Sequence, residues 1–183
     1  EWFSGKQLPS YWTQRNITGT GTFAMADEVD GGFSMSTGST VNNQQGLDFN
    51  DKRQYAFDGS VLIMITKRIG TAMAQQQGFF STATGFADFA LYADDTNSTY
   101  KTLSTKDSTT QSSTVSDVAI NTSWTGVKIE CGSADIKLYL DGVLKVTKTT
   151  NRPTLKQQPR MRLYNYGSVA QECRIKYMEI YNT

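Results

Sequence analysis

The stretch that decides the fold is 124-WTGVKIECGSADIKLYLDGVLKV-146. Apolar and polar residues alternate in it with a period of two, which predicts half-buried strands at Gly126–Cys131, Asp135–Leu140 and Val143–Thr147. Asp141-Gly142 separates the last two runs. An Asp-Gly pair between alternating runs predicts a two-residue hairpin of type I′, because both central residues of that turn need positive φ.

The same pattern extends over the rest of the chain and predicts an all-β fold. Short alternating runs are separated by clusters of Gly, Asn, Asp and Ser, and no linker or repeat interrupts them. We expect one domain over residues 1–183, a two-sheet antiparallel sandwich, with residues 1–12 as a possible N-terminal arm. The remaining predicted strands are Ile17–Ala26, Gly32–Thr37, Leu47–Phe57, Ser60–Ile69, Gly78–Ser81, Phe86–Tyr92, Tyr100–Leu103, Thr114–Ile120, Arg160–Tyr164 and Glu172–Tyr181.

Two segments are predicted to lie outside the strands. Ile69–Gln77, bracketed by Gly70 and Gly78, is interpreted as a hairpin connection, although its Ala, Met and Gln content also suits a helix. The polar stretch Ser104–Ser113 is predicted to be a mobile loop.

The charge balance argues against a nucleic-acid partner. The net charge is +1, and the basic residues are scattered. The nearest approach to a basic patch, Arg152 to Arg162 with Lys156 and Arg160, is expected to be a solvated loop leading into a strand. The longest apolar run, Val61–Ile65, is far shorter than a membrane span, so no membrane span is expected.

Several features predict a secreted, surface-exposed mature chain. The sequence does not open with a signal peptide. Asn16, Asn97 and Asn121 each begin an Asn-x-Ser/Thr sequon at a predicted turn or strand start. Cys131 and Cys173 both share a face with apolar strand neighbours, so we expect them to be buried, either as one disulfide or as two inert thiols.

Three motifs resemble the laminin-G-like members of the concanavalin A-like lectin/glucanase superfamily. They are the Trp124-led strand with its LYLDG hairpin, the ending 174-RIKYMEIYN-182, and the opening 8-LPSYW-12. The resemblance covers the C-terminal third well and the middle hardly at all. It implies a jelly-roll of two antiparallel sheets, one of which often carries a glycan site. A fold resemblance by itself implies no function.

The residues that enzymes of this fold use are scarce. The chain has no histidine, which excludes Ser-His-Asp and Cys-His catalysis and imidazole metal ligands. The superfamily's glucanases carry Glu-x-Asp-x-x-Glu on one strand, and no such run occurs here. No cofactor is required. Calcium is the one possible ion, with Asp27 and Asp30 as the first candidate ligands and Asp94 and Asp95 as the second, against the alternative that both are solvated turns.

Candidate ligand-binding residues are Tyr164, Asn165 and Tyr166 at a predicted strand end, together with Trp12; Trp124 is expected to be in the core. Three functions stay open. The first is a non-catalytic glycan-recognition or adhesion module. The second is a structural subunit of a surface layer, fibre, appendage or virion that binds neighbouring copies of itself. The third is a polysaccharide lyase or hydrolase in which Tyr164, Tyr177 or Tyr181 acts with Arg160 or Arg162.

Overall fold

Every regular element in the described part of the chain is a β-strand. The computed structural model describes residues 8–25, 32–83 and 85–183. The strands are β1 Thr13–Thr18, β2 Gly21–Met25, β3 Phe33–Thr37, β4 Gln44–Asp48, β5 Ser60–Arg68, β6 Met73–Phe80, β7 Asp88–Asp95, β8 Tyr100–Asp107, β9 Gln111–Ala119, β10 Thr125–Cys131, β11 Ile136–Leu140, β12 Val143–Lys148, β13 Gln158–Asn165 and β14 Glu172–Asn182.

The strands form two antiparallel sheets of seven. Sheet I has the order β1-β4-β13-β6-β7-β8-β9, and sheet II has the order β12-β11-β10-β5-β14-β3-β2. The predicted all-β, two-sheet antiparallel jelly-roll sandwich is therefore confirmed. In the described residues no helix is long and apolar enough to cross a membrane.

The core lies between the sheets and follows the alternation in the sequence. Leu62 and Met64 of β5 lie beside Ile129 and Val127 of β10 in register, and all four side chains are buried. Across the sandwich, sheet I contributes Met161 and Leu163 of β13 and Phe79 of β6 to the same cluster, among others. Because successive side chains of a strand point to opposite faces, these inward residues fix which side chains of sheet I point away from sheet II.

The predicted hairpin between β11 and β12 is confirmed. Asp141 has φ of 50° and Gly142 has φ of 80°, which is the left-handed region that a type I′ turn needs. The Asp141 carboxylate also accepts a hydrogen bond from the backbone N–H of Gly126 at 2.7 Å, which ties the turn to β10.

Three predictions in the middle of the chain are wrong. Ile69–Gln77 is not a connection, because Met73–Phe80 forms β6, an inner strand of sheet I. Ser104–Ser113 is not a loop, because β8 runs to Asp107 and β9 begins at Gln111. Leu47–Phe57 is a strand only to Asp48; Asn50 and Asp51, with φ of 55° and 62°, bend the backbone out of the sheet.

The predicted disulfide is also wrong. Both cysteines are free and buried. Cys173 pairs with Arg68 at one end of β5, whereas Cys131 follows Glu130, which pairs with Val61 at the other end. Seven strand residues separate those ends, roughly 23 Å at the rise of a β-strand, while bridged Cα atoms must lie within about 7 Å. The alternative prediction of two buried thiols describes the structure.

Residues 8–12 pack against the sandwich. Leu8 lies against the core cluster, and Trp12 belongs to it with 6% of its surface exposed. The remainder of the predicted arm, residues 1–7, lies outside the described residues.

Candidate functional site

The outward side of sheet I carries the main group of polar and aromatic side chains, which we call the β13 face. Along β13, Met161 and Leu163 point into the core, so Arg160, Arg162 and Tyr164 point outward. The face comprises these three residues and the outward side chains beside them: Arg15 of β1, Gln44 and Asp48 of β4, Gln76 and Phe80 of β6, Asp95 of β7, and Tyr166 just after β13.

The register places the half-buried members of this face in two adjacent rows. Arg162 lies between Gly46 of β4 and Gln76 of β6. Tyr164, two residues further along β13, lies between Gln44 and Ala74. Directly opposed residues of neighbouring strands have Cβ atoms about 5 Å apart, so the side chains of each row are in reach of one another.

Arg162 is the cationic centre of the face. Its Nη2 donates to Oε1 of Gln44. Its guanidinium lies over the ring of Phe86 with 4.5 Å to the centroid, and over the ring of Tyr164 with 5.7 Å. Among the described residues no carboxylate oxygen lies within 4.0 Å of its nitrogens. Burial lowers the pKa of Arg162, while Tyr164 and Tyr166 act in the opposite direction.

Tyr164 and Tyr166 form an aromatic pair at one end of the face. Their ring centroids are 4.7 Å apart. The Tyr164 hydroxyl donates to Oδ1 of Asn42, and the Tyr166 hydroxyl donates to Oδ2 of Asp95 at 2.9 Å. Burial, followed by the hydrogen bond to Asp95 and its charge, raises the pKa of Tyr166 to about 12, so its phenol keeps its proton at neutral pH.

Asn165, which lies between them in the sequence, points into the fold and holds neighbouring loops in place. It is fully buried, and its Nδ2 donates to the carbonyl oxygens of Gly38 and Val169, both at 2.9 Å. Of the predicted trio, the structure therefore brings together Tyr164 and Tyr166 but turns Asn165 away from the face.

Arg160 is buried within the face, and only 1% of its surface is exposed. Its Nη1 donates to the carbonyl of Gly85 at 2.7 Å, and its guanidinium lies 4.9 Å from the ring centroid of Phe80 and 5.3 Å from that of Phe86. Burial lowers its pKa to about 10. The expectation of a solvated loop is wrong for this residue, which anchors the segment carrying Gly85 and Phe86 over one end of the face.

Trp12, the other predicted ligand-binding residue, lies apart from these side chains. Its ring is 4.6 Å from that of Phe49, edge to face, in the core cluster. It lines a cavity of about 390 Å³ together with Tyr11, Phe49, Gln54, Tyr55, Met178, Glu179 and Ile180.

Trp124 is not in the core, contrary to the prediction. It is half-buried, and the amines of Lys67 and Lys176 lie 5.6 Å and 5.8 Å from its ring centroid. Lys67 is an outward residue of β5, so Trp124 covers the outer side of sheet II. Tyr177 and Tyr181, named as possible catalytic bases, belong to β14 of the same sheet and do not meet Tyr164.

The acidic candidates for calcium do not converge in the described residues. Asp94 points into the interior, where its oxygens lie 3.7 Å from Nε of Arg68 and 3.8 Å from Nζ of Lys101; Asp95 points outward to Tyr166. Two buried cations beside Asp94 do not fit a calcium site, and no group of three metal-binding side chains occurs in the described ranges. Asp27 and Asp30 lie outside those ranges.

The three sequon asparagines are exposed. Asn16 lies in β1, Asn97 in the turn between β7 and β8, and Asn121 after β9. Exposure is the steric requirement for glycosylation, which stays a prediction for all three.

Gln44 and Gln76 belong to the site but were not singled out from the sequence. Both are half-buried neighbours of β13 residues. The signal was a polar residue at an outward strand position, and it could be used only after β6 and the start of β4 had been recognised as strands.

Comparisons with known proteins locate the fold. No family model matches the chain, and no curated protein matches it. Solved structures do match. A Bacillus licheniformis β-glucanase is 14% identical with a TM-score of 0.69, covering 100% of this chain and 96% of the other. The carbohydrate recognition domain of Emp47p is 11% identical with a TM-score of 0.70, covering 99% and 92%.

A third match is alginate lyase A1-II′, a member of polysaccharide lyase family-7. It is 9% identical with a TM-score of 0.66 and covers 95% of each chain. At these identities the likeness shows the fold alone. With the sheet order, it shows that the chain shares the two-sheet jelly-roll sandwich fold of these three proteins.

Proposed function

We propose that the β13 face binds a polysaccharide chain and that the protein is a non-catalytic glycan-recognition module outside the cell. The observation that carries this proposal is the grouping of Arg162, Tyr164, Gln44 and Gln76 in two adjacent rows of one sheet face. Sugar binding needs an aromatic surface for the ring's C–H groups and fixed donors and acceptors for its hydroxyls. These four residues supply both kinds of contact.

The side chains are held in place before any ligand arrives. The Tyr164 hydroxyl is bonded to Asn42, Gln44 receives a hydrogen bond from Arg162, and Tyr166 is bonded to Asp95. Side chains that are already ordered lose less entropy on binding. The solved carbohydrate recognition domain of Emp47p shares this fold, which supports the proposal by analogy only.

Cleavage would need a base on the β13 face, and Tyr166 is poorly suited to that role. Burial and its hydrogen bond to Asp95 raise the pKa of Tyr166 to about 12, which makes it harder to deprotonate than an ordinary tyrosine. The test for cleavage is incubation with a polysaccharide panel. Release of oligosaccharides by the wild type but not by Tyr166→Phe would establish an enzyme in place of a binding module.

A glycan array followed by calorimetry on the positive glycans tests the proposal. Tyr164→Ala should abolish detectable binding, because it removes the aromatic ring on which the sugar would stack. The matched control is Tyr181→Ala, which removes an exposed tyrosine from sheet II and should leave the affinity unchanged. Equal losses in both variants, or no binding by the wild type to any glycan, would reject the β13 face as a glycan site.

The extracellular location is tested separately. Asn16, Asn97 and Asn121 are exposed, so expression through a eukaryotic secretory pathway should add glycans that an amidase removes. A secreted chain with no mass shift would remove the sequons as support for this location.

Self-assembly is the second candidate function, and one observation favours it. β9 and β12 each end their sheet, and Val115, Val143 and Leu144 on these strands are 57%, 55% and 47% exposed. A strand edge with exposed apolar side chains can pair with another copy. Light scattering over a concentration series decides: growth of the assembly, reversed by Val115→Lys, would support a structural subunit, and a monomer throughout would reject it.

A further inference from the structure

Arg162 has no counter-ion among the described residues, whereas Arg15, in the same row, has one. Arg15 is two strands away, and its Nε lies 2.6 Å from the Asp48 carboxylate. Arg162 is half-buried, donates to the neutral amide of Gln44, and is not within 4.0 Å of any carboxylate of the described residues. Partly burying a guanidinium in this way costs free energy, which an anion supplied by a ligand would offset.

The geometry around Arg162 orients its guanidinium. The group lies against the rings of Phe86 and Tyr164 at 4.5 Å and 5.7 Å from their centroids, and the hydrogen bond to Gln44 fixes one nitrogen. The Nε of Arg162 is buried without a hydrogen-bond partner among the described residues, so the N–H groups that remain for a ligand are those of Nη1 and Nη2. Donors held in one plane by stacking suit a planar carboxylate better than a diffuse positive patch would.

The neighbours of Arg162 suit the remainder of a sugar ring. Gln76 lies on one side with its Oε1 buried, which leaves its Nε2 as the group for a sugar hydroxyl. Tyr164 offers an aromatic ring and a hydroxyl on the next row. Among the described residues, one carboxylate lies at the Tyr164 end of the face, that of Asp95, and it already accepts a hydrogen bond from Tyr166. A ring that carries both a carboxylate and hydroxyls is therefore complementary to the group.

We propose that the ligand of the β13 face is an acidic polysaccharide built from uronic acids, one carboxylate of which binds Arg162. This inference rests on the proposed function and deepens it by naming the class of glycan. Arg162 is then the residue that determines specificity, while Tyr164 contributes affinity for uronic and neutral sugars alike.

The experiment compares each acidic glycan with its own neutral form. Polygalacturonate, alginate and glucuronan are titrated into the protein, and so are the same polymers after reduction of the carboxylates to primary alcohols. We expect at least one polyuronate to bind, and its reduced form to bind about 10- to 100-fold more weakly, as loss of a charge-assisted hydrogen bond predicts.

Two variants assign the effect to Arg162. Arg162→Gln should weaken polyuronate binding by a similar factor and should remove most of the difference in affinity between the polyuronate and its reduced form. Arg174→Gln removes the same charge from the outer side of sheet II, where Arg174 is paired with Glu172, and should change neither. Thermal unfolding of each variant verifies that it is folded.

The outcomes separate the two proposals. Equal affinity for a polyuronate and its reduced form would overturn the acidic-glycan inference and leave glycan binding intact. Binding of dextran sulfate as tightly as the best polyuronate, or an equal loss in Arg174→Gln, would also overturn it, because either result indicates charge alone. Binding to none of the acidic polymers, with a neutral glycan bound on the array, would overturn only the inference; binding to nothing at all would overturn both.

Discussion

The Nε2 of Gln77 in β6 lies 3.3 Å from the Oγ1 of Thr66 in β5, and this hydrogen bond crosses the interior of the sandwich. The Thr66 hydroxyl is also within 3.3 Å of Oε1 of Gln75 and 3.1 Å of the carbonyl of Arg174. All three side chains are buried. Part of the contact between the two sheets is therefore polar, and its hydrogen bonds determine how the sheets align.

Removing the Thr66 hydroxyl should destabilise the fold. Thr66→Val keeps the shape of the side chain but leaves the Gln77 amide without this partner, which costs about 1–3 kcal/mol in free energy of unfolding. Urea denaturation measures the change. The control, Thr22→Val on the exposed side of β2, should shift the unfolding free energy by less than about 0.5 kcal/mol. A smaller loss at Thr66 than at Thr22 would show that the polar contact contributes nothing.

The polar interior explains which strands could not be predicted from the sequence. The alternation rule assumes that inward residues are apolar. β10, with Val127, Ile129 and Cys131 inward, obeys it and was predicted. In β6 the inward set includes Gln75 and Gln77, and in β8 it includes the fully buried Thr105. The alternation rule therefore predicts a connection over the first part of β6 and ends β8 early, at Leu103.

The candidate site, like the strands, could be predicted only in part from the sequence. Tyr164 and Tyr166 lie at the end of a strand that the alternation predicted, and the structure places both on the β13 face. Gln44 and Gln76 required the register of β4 and β6 against β13, which only tertiary pairing provides. The sequence indicates Arg162 as a candidate residue. Its lack of a carboxylate partner among the described residues could not be predicted, because it depends on the positions of side chains far apart along the chain.

Gly78 is required by the close approach of β6 and β7. A Cβ atom at this position would lie 2.2 Å from the carbonyl oxygen of Ala90 and 2.6 Å from Cα of Leu91. Since backbone atoms cannot move aside individually, Gly78→Ala should force the strands apart and lower the unfolding free energy by about 1–3 kcal/mol.

A second strand glycine provides the control for this substitution. At Gly126 the nearest atom to an added Cβ is Oδ1 of Asp141 at 3.4 Å, which is an ordinary contact. Gly126→Ala should therefore be neutral or slightly stabilising, because alanine restricts the unfolded chain more than glycine does. Equal losses for the two variants in urea denaturation would contradict the assigned role of Gly78.

Both thiols should be unreactive in the folded protein. Cys131 and Cys173 are buried, and burial is the largest cause that raises the pKa of each thiol. We expect no reaction with a thiol reagent under native conditions, two reacting thiols in denaturant, and the same melting temperature with and without a reductant. A melting temperature that falls in reductant would indicate a disulfide. It would contradict the structure, in which the two cysteines lie beside opposite ends of β5.

The ionisation of Tyr166 provides a measurement at the β13 face itself. Its pKa is raised to about 12 by burial first and then by the hydrogen bond to Asp95 and that residue's charge. Because the folded value lies above the usual value of about 10, the unfolded state releases its proton first. The stability that this group contributes is therefore complete below about pH 10 and is lost as the pH rises towards 12.

Titration of ¹³C-labelled tyrosine by NMR should show a resonance with a midpoint near 12 that Tyr166→Phe removes. Burial also raises the pKa of Tyr92, beside Asp94, so the resonance of Tyr166 is assigned by its loss in this variant. Asp95→Asn should lower that midpoint, because it removes the charge, but not fully to the usual value, because burial remains. An unchanged midpoint in Asp95→Asn would mean that the hydrogen bond between Tyr166 and Asp95 does not hold the tyrosine in solution, and the ordered aromatic pair on which the glycan proposal draws would lose that support.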